Sequence, residues 1–539
     1  MNKAKRIIFS IVAVIMLLTY IVPSFALPIN TDMSDSYNYS YWGESVAAPL
    51  AYKAVSLLGY KEIGANIRFQ PVDLFCKNGL TYVLDIGDNA VYVLDERYRT
   101  IATIKTLKGD ETTLPPLNKR IIDPETKQLK TDPELEKAVE TTFNRPEGIF
   151  VDDDGFIHVA DTQNRRIVVC DIEGNVKNVI QSVKVSVLGD SYIFKPLKIV
   201  QDKTGGYEIV AYAVNRGLME IDSDGKFRSF IGAPPIQINP IDWFWRQIST
   251  AEQKKRLIKN VPTEYNNITI DERGFIYSTI GTLGDDILSY GSSSNAEDLS
   301  GKVTPIKKLN SNGKDVLRRL GYFAPICDLY LVDGVPQVKD VAVDNESGRY
   351  TMLDFTMGRF FTYDSEGNLL YVGGGAGNQY GRFKSPNAIA LNGTDILVSD
   401  GGNNTITVFE ATEYVKLINE ASYAGTHGMY DEAEELWRNV IQYNSNMYIA
   451  YIGLGKAELR RGMQKFDDSR LENYENALKY FETADEKVNY SKAYQELLKD
   501  SMTKNFNWIM LGLGILIAGV VALYVRFKLR QKKGRSVSK

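Results

Sequence analysis

The stretch that decides the fold of this chain is FNRPEGIFVDDDGFIHVADTQNRRIVVCDIEGNV, residues 143–176. Three apolar runs, Gly148–Val151, Phe156–Ala160 and Ile167–Cys170, alternate with polar segments and predict three β-strands. Asp154–Gly155 predicts a hairpin turn between the first two strands. Short, evenly spaced strands of this kind are typical of an all-β domain built from repeated sheets.

The same order of residues recurs along the chain. The clearest copies have an aromatic residue, a proline, an apolar strand, a turn, a second apolar strand, a polar loop and a third apolar strand, and the other copies keep this order in part. The further copies are Phe69–Asp95, Phe383–Phe409, Phe194–Phe227, Pro336–Leu370 and a degenerate copy that begins near Pro262 and resumes at Lys302–Leu309. A repeated short-strand unit is the sequence signature of a β-propeller. The chain is therefore predicted to be mainly β, with a six-bladed β-propeller over residues 66–410.

A polar turn motif follows the second strand of the clearest repeats. Asp161 and Asn164 stand three residues apart and precede an apolar strand, and Asp400 and Asn403 repeat this spacing. The arrangement resembles the NHL-repeat family of six-bladed β-propellers. The resemblance covers residues 66–410 and implies a closed ring of blades around a central channel.

The last repeat lacks an outer strand. It ends near Phe409, after which the pattern becomes helical. Unpaired strand edges are a liability that ring closure removes. Residues 27–65 precede the first blade, and we predict that they close the last one through the aromatic segment Ser36–Val46.

Both ends of the chain carry membrane-directed signals. Basic residues precede the apolar run Ile7–Val22, and small residues follow it, which predicts a cleaved signal peptide over residues 1–26. The uncharged run 506–525 has the ~20 residues that a membrane-spanning helix needs. Because the tail 526–539 is basic, the C-terminus is predicted to be cytoplasmic. The prediction is a type I single-pass cell-membrane protein with an extracytoplasmic ectodomain, and its composition suggests a bacterial source.

Residues 411–500 carry apolar residues at helical spacing. The order Gly428, Tyr430, Ala433, Trp437 resembles the second half of a tetratricopeptide repeat. In such repeats small residues let paired helices approach, and stacked repeats bury a continuous core. About two repeats are predicted, serving as a packed stalk or docking module or, alternatively, as a peptide groove.

Charge and composition narrow the function classes. The formal net charge is −4 and no basic cluster marks the body of the chain, so nucleic acid is not an expected partner. The three cysteines cannot form a complete disulfide framework. With only two histidines, His158 and His427, a histidine-based zinc site in the channel is not expected.

The predicted channel face gathers polar side chains from several repeats. Carboxylate and amide oxygens there suit calcium, and they also suit sugar hydroxyls. The candidate binding residues are Glu147, Asp161, Asn164, Asn266, Asn387, Asp400 and Asn403. In related six-bladed families a ring of such residues holds calcium, which implies Glu147, Asn266 and Asn387 as metal ligands. The alternative role for the Asp and Asn pairs is structural, because short polar side chains fix turns by bonding their backbone.

Two insertions, 106–142 and 241–259, interrupt the propeller repeats. Long insertions in a compact domain are usually functional or disordered. The second contains Trp243 and Trp245, which are candidate contacts for a ligand or a partner. The alternative is that they pack the insertion onto the propeller.

These features favour a binding or scaffolding protein that acts with a membrane or envelope complex, possibly one for transport. The first alternative is a calcium-dependent lactonase or hydrolase with its site at the channel. The second is a carbohydrate-binding propeller whose ligand is a sugar or another small molecule. No catalytic residues are assigned from the sequence, no cofactor other than calcium is implied, and whether the chain is an enzyme stays open.

Overall fold

A computed structural model describes most of the chain. The residues described are 36–39, 45–117, 120–122, 129–131, 140–181, 183–189, 192–232, 264–281, 304–319, 327–328 and 336–536. The chain divides into two compact units. The first comprises 54–343 and 350–409 with the N-terminal residues to Tyr37, and the second comprises 38–53, 344–349 and 410–539.

The first unit contains six antiparallel sheets whose innermost strands contact one another in a closed ring, which confirms the six-bladed β-propeller. The strands of each blade are given from the innermost outward. Blade 1 has Pro71–Lys77, Leu80–Asp85, Ala90–Leu94 and Thr100–Ile104, and blade 2 has Gly148–Val151, Ile157–Asp161, Arg166–Cys170 and Val176–Gln181. Blade 3 has Pro196–Gln201, Tyr207–Ala211, Leu218–Ile221 and Phe227–Ile231, and blade 4 has Tyr265–Ile270, Ile276–Ile280 and Ile306–Leu309. Blade 5 has Val338–Val343, Tyr350–Asp354, Arg359–Tyr363 and Leu369–Gly374, and blade 6 has Pro386–Asn392, Asp395–Asp400, Thr405–Ala411 and Tyr52–Leu58.

The middle strands of the blades form the core of the ring. Every residue of Ala90–Leu94 and of Arg166–Cys170 is buried, because neighbouring blades cover both faces of these strands. Strands buried on both sides need continuous rather than alternating apolar residues. This explains the continuous apolar run from which the strand Ile167–Cys170 was predicted.

The outer strand of blade 6 is Tyr52–Leu58, which lies beside Thr405–Ala411. The prediction that Ser36–Val46 supplies this strand is wrong in position. Tyr37–Tyr39 pairs instead with Ser45–Ala47 in a separate two-stranded sheet. An outermost strand is half-exposed and need not be rich in aromatic residues, so the weaker alternation of Tyr52–Leu58 was the relevant pattern.

The second unit contains consecutive antiparallel helices that pack in chain order. They are Glu413–Thr426, Tyr430–Tyr443, Tyr448–Gln464, Ser469–Thr483 and Lys487–Lys504. The central helix, Tyr448–Gln464, presents glycines to aromatic rings of its neighbours. A Cβ added to Gly453 would lie 2.3 Å from Trp437, and one added to Gly455 would lie 2.5 Å from Phe481. The absence of a side chain at these positions is therefore what lets the helices approach.

The helix Phe506–Ser536 follows. Its segment Phe506–Leu529 has a mean hydropathy of 2.4, and no part of its most apolar window is buried. Among the described residues it is the one helix that is long and apolar enough to cross a membrane.

Two predictions lie outside the described residues. They are the signal peptide at 1–26 and the insertion 241–259 with Trp243 and Trp245. The insertion 106–142 is described in part and includes a hairpin of Arg120–Ile122 and Leu129–Thr131.

Candidate functional site

The innermost strands bring four polar side chains to the centre of the propeller. They are Asp73, Lys198, Asn267 and Asp340, from blades 1, 3, 4 and 5. Each stands just after a shift in the pairing between its strand and the second strand of its blade. Such bulges re-aim a side chain, and here they bring all four into an axial cluster.

Asp73 ties the first three blades together. Its Oδ2 accepts a hydrogen bond from the backbone N–H of Ile149 in blade 2 at 2.9 Å. Its Oδ1 lies 2.9 Å from Nζ of Lys198 in blade 3. Asp73 is 6% exposed, so the lysine compensates a charge that is almost fully removed from water.

Asp340 does the same for the other three blades. Its Oδ1 accepts from Nδ2 of Asn267 in blade 4 at 2.6 Å, and its Oδ2 accepts from the backbone N–H of Ile389 in blade 6 at 2.7 Å. Burial raises the pKa of Asp340 to about 7, and the negative charge of Asp73 adds to the rise. The axial cluster thus contacts all six blades, in two sets of three, and contains one carboxyl group whose pKa is raised well above its usual range.

Two further charged side chains lie beside the axial cluster. Glu147 is half-buried, and Lys339 keeps part of its side chain in contact with solvent. Burial lowers the pKa of Lys339, the positive charge of Lys198 lowers it further, and Glu147 acts in the opposite direction. The channel therefore carries charges of both signs, contributed by blades 1, 2, 3 and 5.

The predicted turn residue Asp161 is fully buried and bonds within its own blade. Its Oδ1 accepts from the backbone N–H of Asn144 at 2.7 Å. Its Oδ2 accepts from Nδ2 of Asn164 at 2.9 Å and from Nε of Arg166 at 2.8 Å. Burial raises the pKa of Asp161, while the Arg166 charge and these hydrogen bonds oppose the rise.

Asp400 plays the same part in blade 6. It accepts hydrogen bonds from the backbone N–H groups of Lys384, Ser385 and Gly402 at 2.8, 2.9 and 2.9 Å. The side chain of Asn403 also donates to it at 2.7 Å. These bonds match the structural role considered for the Asp and Asn pairs, because each carboxylate holds a turn against the segment that enters the innermost strand.

The predicted amide ligands lie between blades. Nδ2 of Asn266 donates to the carbonyl of Val338 in blade 5 at 2.7 Å, and its Oδ1 accepts from Thr279. Nδ2 of Asn387 donates to the carbonyl of Pro71 in blade 1 at 3.4 Å. The amides thus help to hold the ring together at two of its seams.

A calcium site requires several side-chain oxygen atoms that are directed at one position and are free to bind the ion. Oδ1 of Asn266 already accepts a hydrogen bond, whereas the Glu147 carboxylate is not engaged in a described hydrogen bond. Among the described residues no group of three or more His, Cys, Asp and Glu side chains is placed to hold a metal ion. The calcium assignment to Glu147, Asn266 and Asn387 stays a prediction.

The two histidines lie away from the axial cluster. His158 is buried between blades, with Nδ1 2.9 Å from the Tyr207 hydroxyl and Nε2 3.0 Å from Asp152 Oδ2. His427 follows the first helix of the second unit and bonds the carbonyl of Tyr423. Each is held by protein contacts in its own unit.

The sequence places Asp73, Lys198 and Asp340 on the predicted channel face, but they were not chosen as candidate binding residues. A signal for them exists, because each stands two positions after the residue that begins its innermost strand: Pro71, Pro196 and Val338. The signal is weak because this position holds aspartate in blades 1 and 5 but lysine in blade 3.

Comparison with solved structures finds distant propellers. Virginiamycin B lyase from Staphylococcus aureus is 11% identical with a TM-score of 0.37, and the match covers 67% of this chain and all of the lyase. Hydrazine synthase from Kuenenia stuttgartiensis is 12% identical with a TM-score of 0.34, and the match covers 65% of this chain and 97% of the other. At these values the similarities carry no functional argument. No protein-family model and no curated protein matches the chain, so the NHL resemblance stays a prediction.

Proposed function

We propose that this protein is a membrane-anchored binding or scaffolding protein that docks a membrane partner through its helical unit. The observation that carries the proposal is an exposed apolar row on the helix just before the apolar C-terminal helix. The tetratricopeptide-like and NHL-like patterns in the sequence support it, because both repeat types are common in binding proteins.

The row lies on the helix Lys487–Lys504. Tyr490, Tyr494, Leu498 and Met502 stand four residues apart and are 36%, 50%, 41% and 52% exposed. Side chains at this spacing share one face of a helix. A terminal helix of a repeat array normally turns a polar face outward, so an apolar row here suits a further helix packed against it.

The position of the row favours a partner that lies at the membrane. One residue, Asn505, separates this helix from the apolar helix that begins at Phe506. A molecule bound along the row therefore lies next to the membrane. Tyrosines, with an apolar ring and a polar hydroxyl, are suited to that zone. The occupant that fits is an apolar helical segment of a second membrane protein, bound on the extracytoplasmic side.

Site-specific photocrosslinking of the full chain in intact cells tests the proposal. A photoreactive residue at Tyr494 or Leu498 is expected to give a discrete protein adduct, which mass spectrometry identifies. The same residue at Lys492 or Lys499, on the polar side of the helix, is the matched control.

A second experiment separates a partner from the lipid surface. Leu498→Lys is expected to abolish co-purification of the crosslinked protein, whereas Lys499→Gln is expected to retain it. Equal crosslinking from both sides of the helix, or adducts to lipid alone, would contradict a specific docking face.

A further inference from the structure

One end of the propeller channel is built from two kinds of segment. The backbone N–H of Tyr212, just after the second strand of blade 3, donates to the carbonyl of Lys195, just before its innermost strand, at 2.9 Å. Phe355 and Gln337 make the same bond in blade 5 at 2.9 Å. These segments meet around the channel, and we call this end of the propeller the turn face.

The carboxylates of the turn face point inward. The side chains of Asp85, Asp161, Asp354 and Asp400 belong to residues that are at most 1% exposed, and each accepts backbone hydrogen bonds from its own blade. These carboxylates therefore hold the turns by hydrogen bonds and are shielded from solvent.

The basic side chains of the turn face point outward. These basic residues are Arg68, Arg145, Lys195, Arg216, Lys339 and Lys384. Among the described residues, no ion pair joins any of these six side chains to a carboxylate. Among the described residues of these segments, Glu140, Glu147 and Glu264 are acidic side chains that also reach solvent. Although the whole chain has a formal net charge of −4, the described charged side chains that reach solvent on this surface are thus mostly basic.

Two aromatic rings stand among these basic groups. Tyr212 and Phe355 occupy the same place in blades 3 and 5, directly after the second strand, and are 58% and 36% exposed. The Nζ of Lys195 lies 5.4 Å from the centroid of the Tyr212 ring. The Nζ of Lys339 lies 5.9 Å from the centroid of the Phe355 ring. Each blade thus offers a flat apolar surface with a cation beside it.

We propose that the turn face binds an acidic polysaccharide, with sugar rings stacked on Tyr212 and Phe355 and sugar carboxylates paired with Lys195 and Lys339. An apolar ring face next to a carboxylate is the chemistry of a uronic acid unit, and the two aromatic–lysine pairs match two such units. An acidic peptide would use the lysines but would leave the rings without a matching surface. This inference is independent of the partner docking proposed for the helical unit.

Titration calorimetry on the full chain in detergent micelles tests the proposal, with oligogalacturonate as the probe. Fully methyl-esterified oligogalacturonate has the same rings without charge, and polyglutamate has the charge without rings. Binding is expected for oligogalacturonate and should weaken as salt shortens the range of electrostatic attraction. Methyl-esterified oligomer and polyglutamate should each bind at least tenfold more weakly.

Variants locate the site. Tyr212→Ala and Lys339→Gln are each expected to weaken oligogalacturonate binding about fivefold to tenfold, which corresponds to ~1 kcal/mol per lost contact. The control is Lys226→Gln, a 77% exposed lysine in the hairpin between the third and fourth strands of blade 3, at the other end of the blade. It should leave binding unchanged. Circular dichroism melting checks that the variants are folded.

Two results would overturn the proposal. One is the absence of oligogalacturonate binding. The other is equal binding of polyglutamate together with an unaffected Tyr212→Ala variant, which would reduce the turn face to a general basic surface.

Discussion

Replacing Asp340 with asparagine should change how the stability of the propeller depends on pH. Asp340 is 5% exposed, and its pKa is raised to about 7 by burial and by the nearby Asp73 charge. The ordinary value, which applies to the unfolded chain, is 3.8. Between these two values the folded state binds the proton more tightly, so the stability that Asp340 contributes is lost as pH rises through this window.

The size of the effect follows from the shift. A difference of one pKa unit corresponds to ~1.4 kcal/mol, so a rise of about three units sets a ceiling of ~4 kcal/mol on the change between pH 4 and pH 8. Asparagine does not titrate, so the Asp340→Asn variant lacks this loss. The variant should be less stable than the wild type at pH 4, because its amide group faces the Asn267 donor. This deficit should shrink or reverse by pH 8.

Hydrogen–deuterium exchange of the full chain provides the assay. The peptide Pro386–Asn392 contains Ile389, whose N–H donates to Asp340, and its exchange reports opening of the innermost strand. Opening free energies of both proteins are compared from pH 4 to pH 8, after correction for intrinsic exchange. Asp224→Asn, at a 71% exposed hairpin carboxylate, is the control and should follow the wild type. If the opening free energies of the wild type and of Asp340→Asn differ by the same amount across this range, the raised pKa of Asp340 is refuted.

Three other changes test the remaining parts of the structure. Gly455→Ala should destabilise the helical unit by ~1–3 kcal/mol because its Cβ would lie 2.5 Å from the Phe481 ring, whereas Gly425→Ala, with nothing within 4 Å, should be neutral or slightly stabilising; circular dichroism melting compares the two. Asp400→Ala should cost ~2–4 kcal/mol in urea unfolding because several backbone donors lose their acceptor, and equal stability would show that water replaces it. Removal of 506–539 should release the protein from membranes in carbonate extraction, and retention in the pellet would contradict a single anchoring span.

The repeat pattern predicted the blades because their middle strands are buried on both faces. Predicted Gly148–Val151 is observed unchanged, and predicted Ile167–Cys170 is observed as Arg166–Cys170. The outer strand of blade 6 was misplaced because half of its side chains face solvent. Tyr52–Leu58 includes Lys53 and Ser56, and this mixture is hard to distinguish from a loop.

The candidate site was harder to predict because its contacts join residues far apart in sequence. The turn motif of Asp400 and Asn403 could be recognised, since its partners are local. Asp73 and Asp340 depend on donors in other blades, and neither has a local motif. The contacts of Asp73 and Asp340 with other blades form only when the ring closes. The repeat pattern predicts that the ring closes but not which side chains meet at its centre.

The position of the closing strand in the chain also determines how long this strand remains unpaired during synthesis. Tyr52–Leu58 is made early, but its partner Thr405–Ala411 is completed roughly 350 residues later. At about 5–20 residues per second, the early strand waits on the order of 20–70 s for a neighbour. During that interval its backbone edge is open to other chains, so early export or a holding chaperone would protect the protein. Mutations that slow synthesis of the later blades should therefore lower yield without altering the finished molecule.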